Sequence, residues 1–124
     1  MSKRILVVDD NAPIRGLVRR FVESRPGLEV CGEATDGLEG IQKVRELNPD
    51  LIVLDFLMPG MNGLQAAVLL HQIVPNAPII LFTFYKDAIS SDLAQAAGVA
   101  SILSKTDQLA TLADEVQRLT ACPN

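Results

Sequence analysis

The 124-residue sequence is poor in side chains that bind soft metal ions, with one histidine and two cysteines. No histidine, cysteine or carboxylate stands at helical spacing from His71, so we predict an exposed helix residue there rather than a ligand. Cys31 and Cys122 lie far apart in no metal-binding pattern. Because the first residues do not resemble a secretion signal, we expect reduced thiols and a cytoplasmic protein.

Long hydrophobic runs are also missing. The strongest run, Leu51–Leu54, is ended by Asp55 and falls far short of the roughly 18 residues that span a membrane. Positive charge is scarce as well, since 15 acidic residues outnumber 11 basic ones and give a net charge of -4. This excess argues against binding nucleic acid or an anionic membrane through bulk charge. We therefore expect neither as a direct partner.

The chain contains no internal repeat, no low-complexity segment and no linker rich in serine, glycine or proline. Domains usually hold about 100–200 residues, so residues 1–124 are expected to form a single domain. The composition is 48% hydrophobic and 21% charged, which provides enough apolar side chains to bury a core.

What is present is an alternation of short β-branched runs and amphipathic helical patterns. The runs predict five strands, at Ile5–Val8, Leu28–Cys31, Leu51–Leu54, Pro78–Phe82 continuing to Thr83, and Ser101–Ser104. Between them, apolar residues recur at the spacing of one buried helix face. The predicted inward-facing residues are Ile14, Leu17, Val18, Phe21 and Val22; Ile41, Val44 and Leu47; Leu64, Ala67 and Leu70; Ile89, Leu93, Ala96 and Ala97; and Leu109, Leu112, Val116 and Leu119.

Local signals also predict where two helices begin or end. Asp36 and Glu39 have the spacing of a capping box, with aspartate in the serine or threonine place, ahead of the second helix. Gly98 is a suitable residue to end the fourth helix, because it adopts left-handed backbone angles without strain.

Five consecutive βα units predict an α/β fold. Strands that are apolar on both faces are typical of a parallel sheet covered by helices on both sides, a three-layer sandwich. Right-handed crossovers leave few arrangements for five strands, and the flavodoxin-like order 2-1-3-4-5 is the usual one. We therefore predict a doubly wound (βα)5 fold with its functional residues at the carboxyl ends of the strands.

That carboxyl edge of the sheet collects five polar side chains. Asp9 and Asp10 follow the first strand, Asp55 follows the third, Thr83 ends the fourth, and Lys105 follows the fifth. Carboxylates packed together repel one another, so at least one pKa should rise unless a cation is bound. Oxygen ligands without nearby histidine or cysteine suit a hard ion such as Mg²⁺. A carboxylate can also attack phosphorus, while a metal ion, Lys105 and Thr83 would neutralise the phosphoryl oxygens.

Plainer interpretations stay open for each of these residues taken alone. Asp9 and Asp10 would begin a loop or cap the next helix, and Thr83 would be an ordinary strand residue. Asp55 lies between Leu-Ile-Val-Leu and Phe-Leu-Met, so its charge needs compensation in an apolar setting. Lys105 also follows an apolar strand, so its positive charge needs compensation too. A structural Asp55–Lys105 ion pair would neutralise both charges.

Together these residues resemble the receiver domain of two-component response regulators. The most specific segment, Asp-Phe-Leu-Met-Pro-Gly-Met-Asn-Gly at 55–63, is similar to the family's phosphoacceptor aspartate followed by Met-Pro and a closing Asn-Gly or Asp-Gly. The segments at 5–11 and 32–40 and the spacing from Thr83 to Lys105 agree with the family pattern. The resemblance extends from Ile5 to about Leu119.

The resemblance implies a chemistry for the acidic cluster. Asp55 would accept a phosphoryl group from the phosphohistidine of a sensor histidine kinase, from a phosphotransfer protein, or from a small donor such as acetyl phosphate. Asp9, Asp10 and Asp55, with the backbone carbonyl of Leu57, would bind Mg²⁺. The chain would catalyse only its own phosphorylation and dephosphorylation.

The resemblance also implies a switch. Thr83 and Lys105 would contact the phosphoryl group. Thr83 and Ile102 would act as switch residues that couple phosphorylation to a change at the output face. The added charge would shift the population of the face formed by the fourth helix, fifth strand and fifth helix. That face would bind an unidentified output domain or partner protein, or a second copy of the chain in a homodimer.

Several positions depart from the family pattern. Ile102 stands where tyrosine or phenylalanine is usual, Phe84 where a small residue is usual, and Thr106 where proline is common. Leu57 and Tyr85 occupy two positions that tune dephosphorylation, and neither is an acid or amide able to orient a water molecule. We therefore expect the phosphorylated form to be long-lived for a receiver.

Two other functions compete with a phosphorylated receiver. An aspartyl-phosphate phosphohydrolase also uses an aspartate after a strand, but it typically needs a second acid where Leu57 stands. A non-phosphorylated interaction module with the same fold would rest on Phe84 and Ile102 alone, since Asp55 and Lys105 are both present.

Overall fold

The structure, a computed structural model, describes residues 2–121, in which five strands and five helices alternate. The strands are β1 (Lys3–Val8), β2 (Leu28–Ala34), β3 (Leu51–Leu54), β4 (Ile79–Thr83) and β5 (Val99–Ser104). The helices are α1 (Ala12–Glu23), α2 (Gly37–Leu47), α3 (Gly63–Ile73), α4 (Ser91–Ala96) and α5 (Leu109–Thr120), with a 3₁₀ turn at Lys86–Ala88. The predicted alternation of strands and helices is confirmed.

All five strands form one parallel sheet in the order β2-β1-β3-β4-β5, which confirms the predicted doubly wound topology. The register is continuous between β1 and β3 and between β3 and β4. Each outer pair has one irregularity. The pairing of β1 with β2 skips Cys31, and the pairing of β4 with β5 skips Ala100.

The sheet separates two apolar clusters. Leu6, Ile52 and Leu81 pack with residues of α2, α3 and α4 on one side. Ile5 and Val53 pack with residues of α1 and α5 on the other. Neighbouring strand residues thus point to opposite faces, as the two-sided apolar strands predicted, and each fully buried leucine or isoleucine stabilises the fold by roughly 1.5–3 kcal/mol.

The predicted helix ends are confirmed with one correction. Asp36 caps α2 by accepting a hydrogen bond from the Glu39 N–H at 2.8 Å. The Glu39 carboxylate, however, accepts from the Thr35 N–H rather than from Asp36, because Thr35 lies just before the cap. Gly98 follows α4 with φ at 91°, and a Cβ there would lie 2.5 Å from Cγ of His71, so only glycine fits.

The predicted inward face of α4 is wrong in two positions. Leu93 is 63% exposed and Ala96 is also exposed. The reason is that α4 begins only at Ser91, after the N-cap Ser90, so Ile89 is not in phase with the helix. The buried side chains of this segment are Ile89, Ala94 and Ala97.

Smaller corrections concern α1 and the strand boundaries. Leu17 was predicted to face the core but is 38% exposed, beside the buried Val18. Three strands are longer than predicted, since β1 begins at Lys3, β2 reaches Ala34 and β5 begins at Val99. The β2 extension matters for the site, because it places Glu33 in the sheet.

The remaining predictions about rare residues are partly confirmed. His71 is exposed on α3. Cys31 is a half-buried free cysteine, and burial raises the pKa of its thiol. Cys122 lies outside the described residues. Within residues 2–121, no helix has the length and apolar character needed to cross a bilayer.

Candidate functional site

Backbone hydrogen bonds at the carboxyl ends of the strands bring the predicted side chains to one edge of the sheet. The Asp55 N–H donates to the Val8 carbonyl at 2.9 Å, which fixes the end of β3 beside that of β1. The Lys105 N–H donates to the Thr83 carbonyl at 2.9 Å, which does the same for β5 and β4. The sheet itself therefore places these functional groups.

Lys105 pairs with two carboxylates at this edge. Its Nζ lies 2.6 Å from Oδ2 of Asp9 and 3.0 Å from Oδ2 of Asp55. The Lys105 side chain is only 4% exposed, and buried ions of this kind need a partner. The contact confirms that an Asp55–Lys105 pair exists, but one ammonium meets two carboxylates. The cluster therefore keeps negative charge that a cation can neutralise.

Asp55 has an altered proton affinity as a result. Burial raises the pKa of its carboxyl, and the neighbouring Asp9 charge raises it further. Hydrogen bonds from Lys105 and from the Phe56 N–H lower it, but not enough to cancel the increase. The predicted rise of at least one pKa in the cluster is therefore found at Asp55.

Three carboxylates form a group with the geometry of a metal site. One oxygen each of Asp9, Asp10 and Asp55 lies within 4.8 Å of the others. Asp9 and Asp55 are buried, whereas Asp10 is exposed and leaves the group open to solvent. Carboxylate oxygens with solvent access suit a hard cation that keeps several waters. The residues present thus fit a divalent cation.

The two predicted switch residues lie on neighbouring strands. Thr83 is fully buried, and its Oγ1 accepts a hydrogen bond from the Tyr85 N–H at 3.1 Å. Ile102 is partly buried against the apolar cluster that contains Leu81, and it pairs with Leu81 across β4 and β5. Their roles in switching stay predictions.

Large side chains stand around the site where the family pattern has smaller or polar ones. Phe84 is 59% exposed, and its ring centroid lies 5.4 Å from the Lys105 Nζ, within cation–π range. Leu57 and Tyr85 are also exposed. Thr106 Oγ1 lies 2.6 Å from the Ser104 hydroxyl. Phe84 therefore faces solvent while it touches the lysine of the site.

The loop from Asp55 to Gly63 is folded tightly back on itself. The Gly63 N–H donates to the Phe56 carbonyl at 2.6 Å, and a Cβ on Gly63 would clash with the Asp55 carbonyl oxygen. Asn62 and Gln65 then form a capping box that starts α3. This close approach explains in physical terms why a glycine ends the segment at 55–63.

Two charged residues next to the site, Arg15 and Glu33, have no signal in the sequence. Arg15 of α1 donates to the Asp9 carbonyl at 2.6 Å and to Glu33 at 2.9 Å. Arg15 is not one of the apolar residues that mark the buried face of the first helix, so the periodicity assigns it no role. Glu33 lay beyond the predicted end of the second strand, so nothing marked the two as neighbours.

Comparison with known families gives one match over most of the chain. The response regulator receiver domain family matches residues 5–117. The transcriptional regulatory protein LiaR of Bacillus subtilis is 36% identical over 114 residues, which cover 92% of this chain and 54% of LiaR. The chain thus spans about half the length of this relative.

Solved structures agree over nearly the whole chain. A LuxR-family two-component response regulator from Aurantimonas sp. SI85-9A1 matches with a TM-score of 0.90 and 32% identity, covering 98% of this chain and 86% of that one. The response regulator TrrA from Thermotoga maritima, solved in complex with Mg²⁺ and BeF, matches with a TM-score of 0.83 and 34% identity. This match covers 94% of the chain and 98% of TrrA.

Proposed function

The chain belongs to the response regulator receiver domain family, and on this premise we propose that Asp55 is its phosphoacceptor. The observation that carries the proposal is the buried Asp55 carboxylate, which lies 3.0 Å from the Lys105 ammonium and within 4.8 Å of the Asp9 and Asp10 oxygens. A nucleophilic carboxylate, a fixed cation and a cation-binding pair of carboxylates are the parts that phosphoryl transfer requires.

In the proposed reaction, a carboxylate oxygen of Asp55 attacks the phosphorus of the donor. The bond from phosphorus to the imidazole nitrogen of a phosphohistidine, or to the acyl oxygen of acetyl phosphate, breaks and its electron pair leaves with the donor. Asp9, Asp10 and Asp55 with the Leu57 carbonyl would hold Mg²⁺, which would supply positive charge to the phosphoryl oxygens.

Lys105 and Thr83 act on the same oxygens. The Lys105 ammonium is already fixed against Asp55, so a phosphoryl group on that carboxylate arrives beside it with little reorganisation. The Thr83 hydroxyl has no donor role in its bond to Tyr85 and so keeps its hydrogen for a phosphoryl oxygen. Both groups bind the product; neither needs to transfer a proton.

The proposed signalling partners follow from the family and from this chemistry. The phosphoryl donor is a sensor histidine kinase or a phosphotransfer protein. The face of α4, β5 and α5 then binds an output domain, a partner protein or a second copy of the chain, with Thr83 and Ile102 as switch residues. We propose that residues 1–124 act as one receiver domain in the cytoplasm, with no membrane or nucleic acid bound directly and no enzymatic activity beyond its own phosphorylation and dephosphorylation.

Intact mass spectrometry after incubation with Mg²⁺ and acetyl phosphate tests the proposal. Wild type is expected to gain the mass of one phosphoryl group, and Asp55→Asn to gain none. Asp92→Asn removes an exposed carboxylate of α4 and is the matched control, expected to behave like wild type.

The same variants are then mixed with Mg²⁺ and beryllofluoride, a small phosphoryl mimic that does not require a leaving group. Failure of wild type in both assays would contradict the proposal and favour an interaction module that is not phosphorylated. Binding of beryllofluoride without phosphorylation would show that the site works but that Phe84 restricts the larger donor.

A further inference from the structure

Arg15 connects the first turns of α1 to the loop that carries the acidic cluster. Its Nη1 donates to the Asp9 backbone carbonyl at 2.6 Å, just after the last residue of β1. In the same loop, the Asp9 carboxylate accepts the Asn11 N–H at 2.9 Å. The peptide that leads from Asp9 to Asp10 is thus held by a guanidinium from outside the cluster.

Glu33 of β2 holds that guanidinium in place. It accepts a hydrogen bond from Nε of Arg15 at 2.9 Å, which aims the other side of the guanidinium at the Asp9 carbonyl. Burial raises the pKa of Glu33, but hydrogen bonds from Arg19 and Arg15 outweigh burial, so the pKa lies below its usual value. Glu33 is therefore ionised at neutral pH and can fix both arginines.

Arg19 also contacts Glu33, but it does not contact the loop that contains Asp9 and Asp10. Its Nε and Nη2 contact the second Glu33 oxygen at 3.0 and 2.9 Å, and Nη1 donates to the Val30 carbonyl at 3.3 Å. Arg15 has a side chain 15% exposed, against 39% for Arg19. The two arginines therefore differ in one respect that concerns the site, since Arg15 alone of the pair contacts Asp9.

We infer that Arg15, oriented by Glu33, is a positioning residue that fixes the Asp9–Asp10 loop in the geometry required to bind Mg²⁺. This inference rests on the proposed metal site. Groups that orient metal ligands typically contribute 10–100-fold to metal affinity. Arg15 does so through a backbone carbonyl, so its effect is on the path of the loop and not on the charge of a ligand.

If Arg15 acts through its charge, its removal changes Mg²⁺ affinity in one direction; if it acts by positioning the loop, its removal changes the affinity in the other. A cation near a cation-binding site repels the metal ion, so removing a positive charge by itself would strengthen Mg²⁺ binding. Removing a positioning contact weakens it. The sign of the change in Mg²⁺ affinity thus separates the two roles.

Isothermal titration of the full chain with Mg²⁺ measures this sign. Arg15→Met, which keeps the apolar stem, is expected to weaken Mg²⁺ binding by about 10-fold. Arg19→Met removes the same charge from the same acid and is expected to leave the affinity unchanged or slightly higher. Equal effects of the two substitutions, or tighter binding by Arg15→Met, would overturn the inference.

Hydrogen exchange of the metal-free proteins provides a readout that does not depend on Mg²⁺. Exchange of the Asn11 amide is expected to be about 10-fold faster in Arg15→Met than in Arg19→Met, because the loop that holds it opens more often. Equal exchange rates would contradict the positioning role even if Mg²⁺ binds. If exchange differs but wild type binds no Mg²⁺, the proposed metal site is wrong and the loop contact is only structural.

Arg15→Lys keeps the test valid if Arg15→Met is poorly folded, and a double substitution tests the role of Glu33. Arg15→Lys retains the charge, but a single ammonium cannot reproduce the two-sided contact with Glu33 and Asp9. It is expected to weaken Mg²⁺ binding nearly as much as Arg15→Met. Glu33→Gln added to Arg15→Met should weaken Mg²⁺ binding no further, because Glu33 acts on the loop only through Arg15; a full additive loss would show otherwise.

Discussion

At the scale of single residues, Asp55 is held in an environment that disfavours its charge. It is 6% exposed and faces Asp9, and Lys105 is shared between the two acids. A buried group whose pKa is perturbed and which lies next to a specific charge partner is a candidate functional residue. A cation bound next to Asp55 would stabilise its ionised carboxylate against burial and against the charge of Asp9.

The raised pKa of Asp55 predicts a pH-dependent stability. Between the unfolded and folded pKa values, the folded protein holds more protons at Asp55, so the free energy of unfolding falls as the pH rises through that window. Asp55→Asn removes this loss. Without Mg²⁺ at pH 7, we therefore expect the variant to be more stable than wild type.

Urea unfolding at several pH values measures this difference. The advantage of Asp55→Asn should shrink as the pH falls below the ordinary range of an aspartate, about 3.9, because Asp55 is then protonated in both states. Asp92→Asn, at an exposed position in the first turn of α4, should not be more stable than wild type at pH 7, because a negative charge there favours the helix. A wild type that is the more stable protein at pH 7 without Mg²⁺ would contradict the prediction.

A second residue-scale prediction concerns the lifetime of the phosphorylated form. Leu57 and Tyr85 are both about half exposed, at 54% and 48%, and neither offers an acid or amide to orient a water molecule for attack on the phosphoryl group. Leu57→Asn should therefore accelerate dephosphorylation by up to about 100-fold, the lower end of what a positioned acid–base group contributes. The decay of the added mass over time measures it, with Leu57→Met as the matched control.

The sequence was sufficient to predict the acidic cluster because each member directly follows a strand. Parallel strands end at one edge of the sheet, so Asp55 and Lys105 had to approach each other once the strand order was correct. The Arg15–Asp9 contact was not predictable in this way. It joins a helix side chain to a backbone carbonyl, and a backbone carbonyl has no sequence signature.

At the scale of secondary-structure elements, the start of α3 depends on a glycine. A Cβ at Gly63 would clash with the Asp55 carbonyl oxygen and would lie 2.8 Å from Cα of Phe56, and backbone atoms cannot move aside as a flexible side chain can. We expect Gly63→Ala to destabilise the protein by about 2–3 kcal/mol and to reduce phosphorylation of Asp55.

Gly16 provides the matched control in another helix. It lies inside α1, and no heavy atom stands within 4 Å of a Cβ built there. Gly16→Ala should therefore stabilise the protein by about 0.5–1 kcal/mol, because alanine loses less backbone entropy in a helix. Urea unfolding of both variants measures the change in the free energy of unfolding, which should be negative for Gly63→Ala and positive for Gly16→Ala. Similar behaviour of both would show that the tight approach at Gly63 is not limiting.

The fourth helix shows where periodicity fails as a guide. Its predicted face assumed one helix from Ile89 onward, but a 3₁₀ turn at Lys86–Ala88 and the Ser90 cap interrupt the chain before α4 begins. Leu93 consequently faces solvent. Periodicity gives the phase of a helix only when its first residue is known, and Ser90 was the one signal that would have supplied it.

At the scale of the whole molecule, the elements of the proposed output face differ in how firmly they are held. The helix α4 has only six residues and one buried side chain, Ala94, whereas α5 has twelve residues and buries Leu112, Ala113 and Val116. Elements with few buried apolar contacts rearrange at low free-energy cost. A phosphoryl group at Asp55 therefore needs to supply little energy to shift α4, while α5 remains a fixed reference.

The irregular pairing of the two outer strands has a consequence for how copies of this protein behave at high concentration. The outer strands β2 and β5 expose backbone N–H and C=O groups that another extended chain can pair with. Both strands carry one residue that their inner neighbour does not match, Cys31 in β2 and Ala100 in β5. Such an extra residue bends a strand and interrupts its regular hydrogen-bond spacing. Neither margin of the sheet then offers a straight template for intermolecular strand addition, which protects the protein from aggregation through its edges.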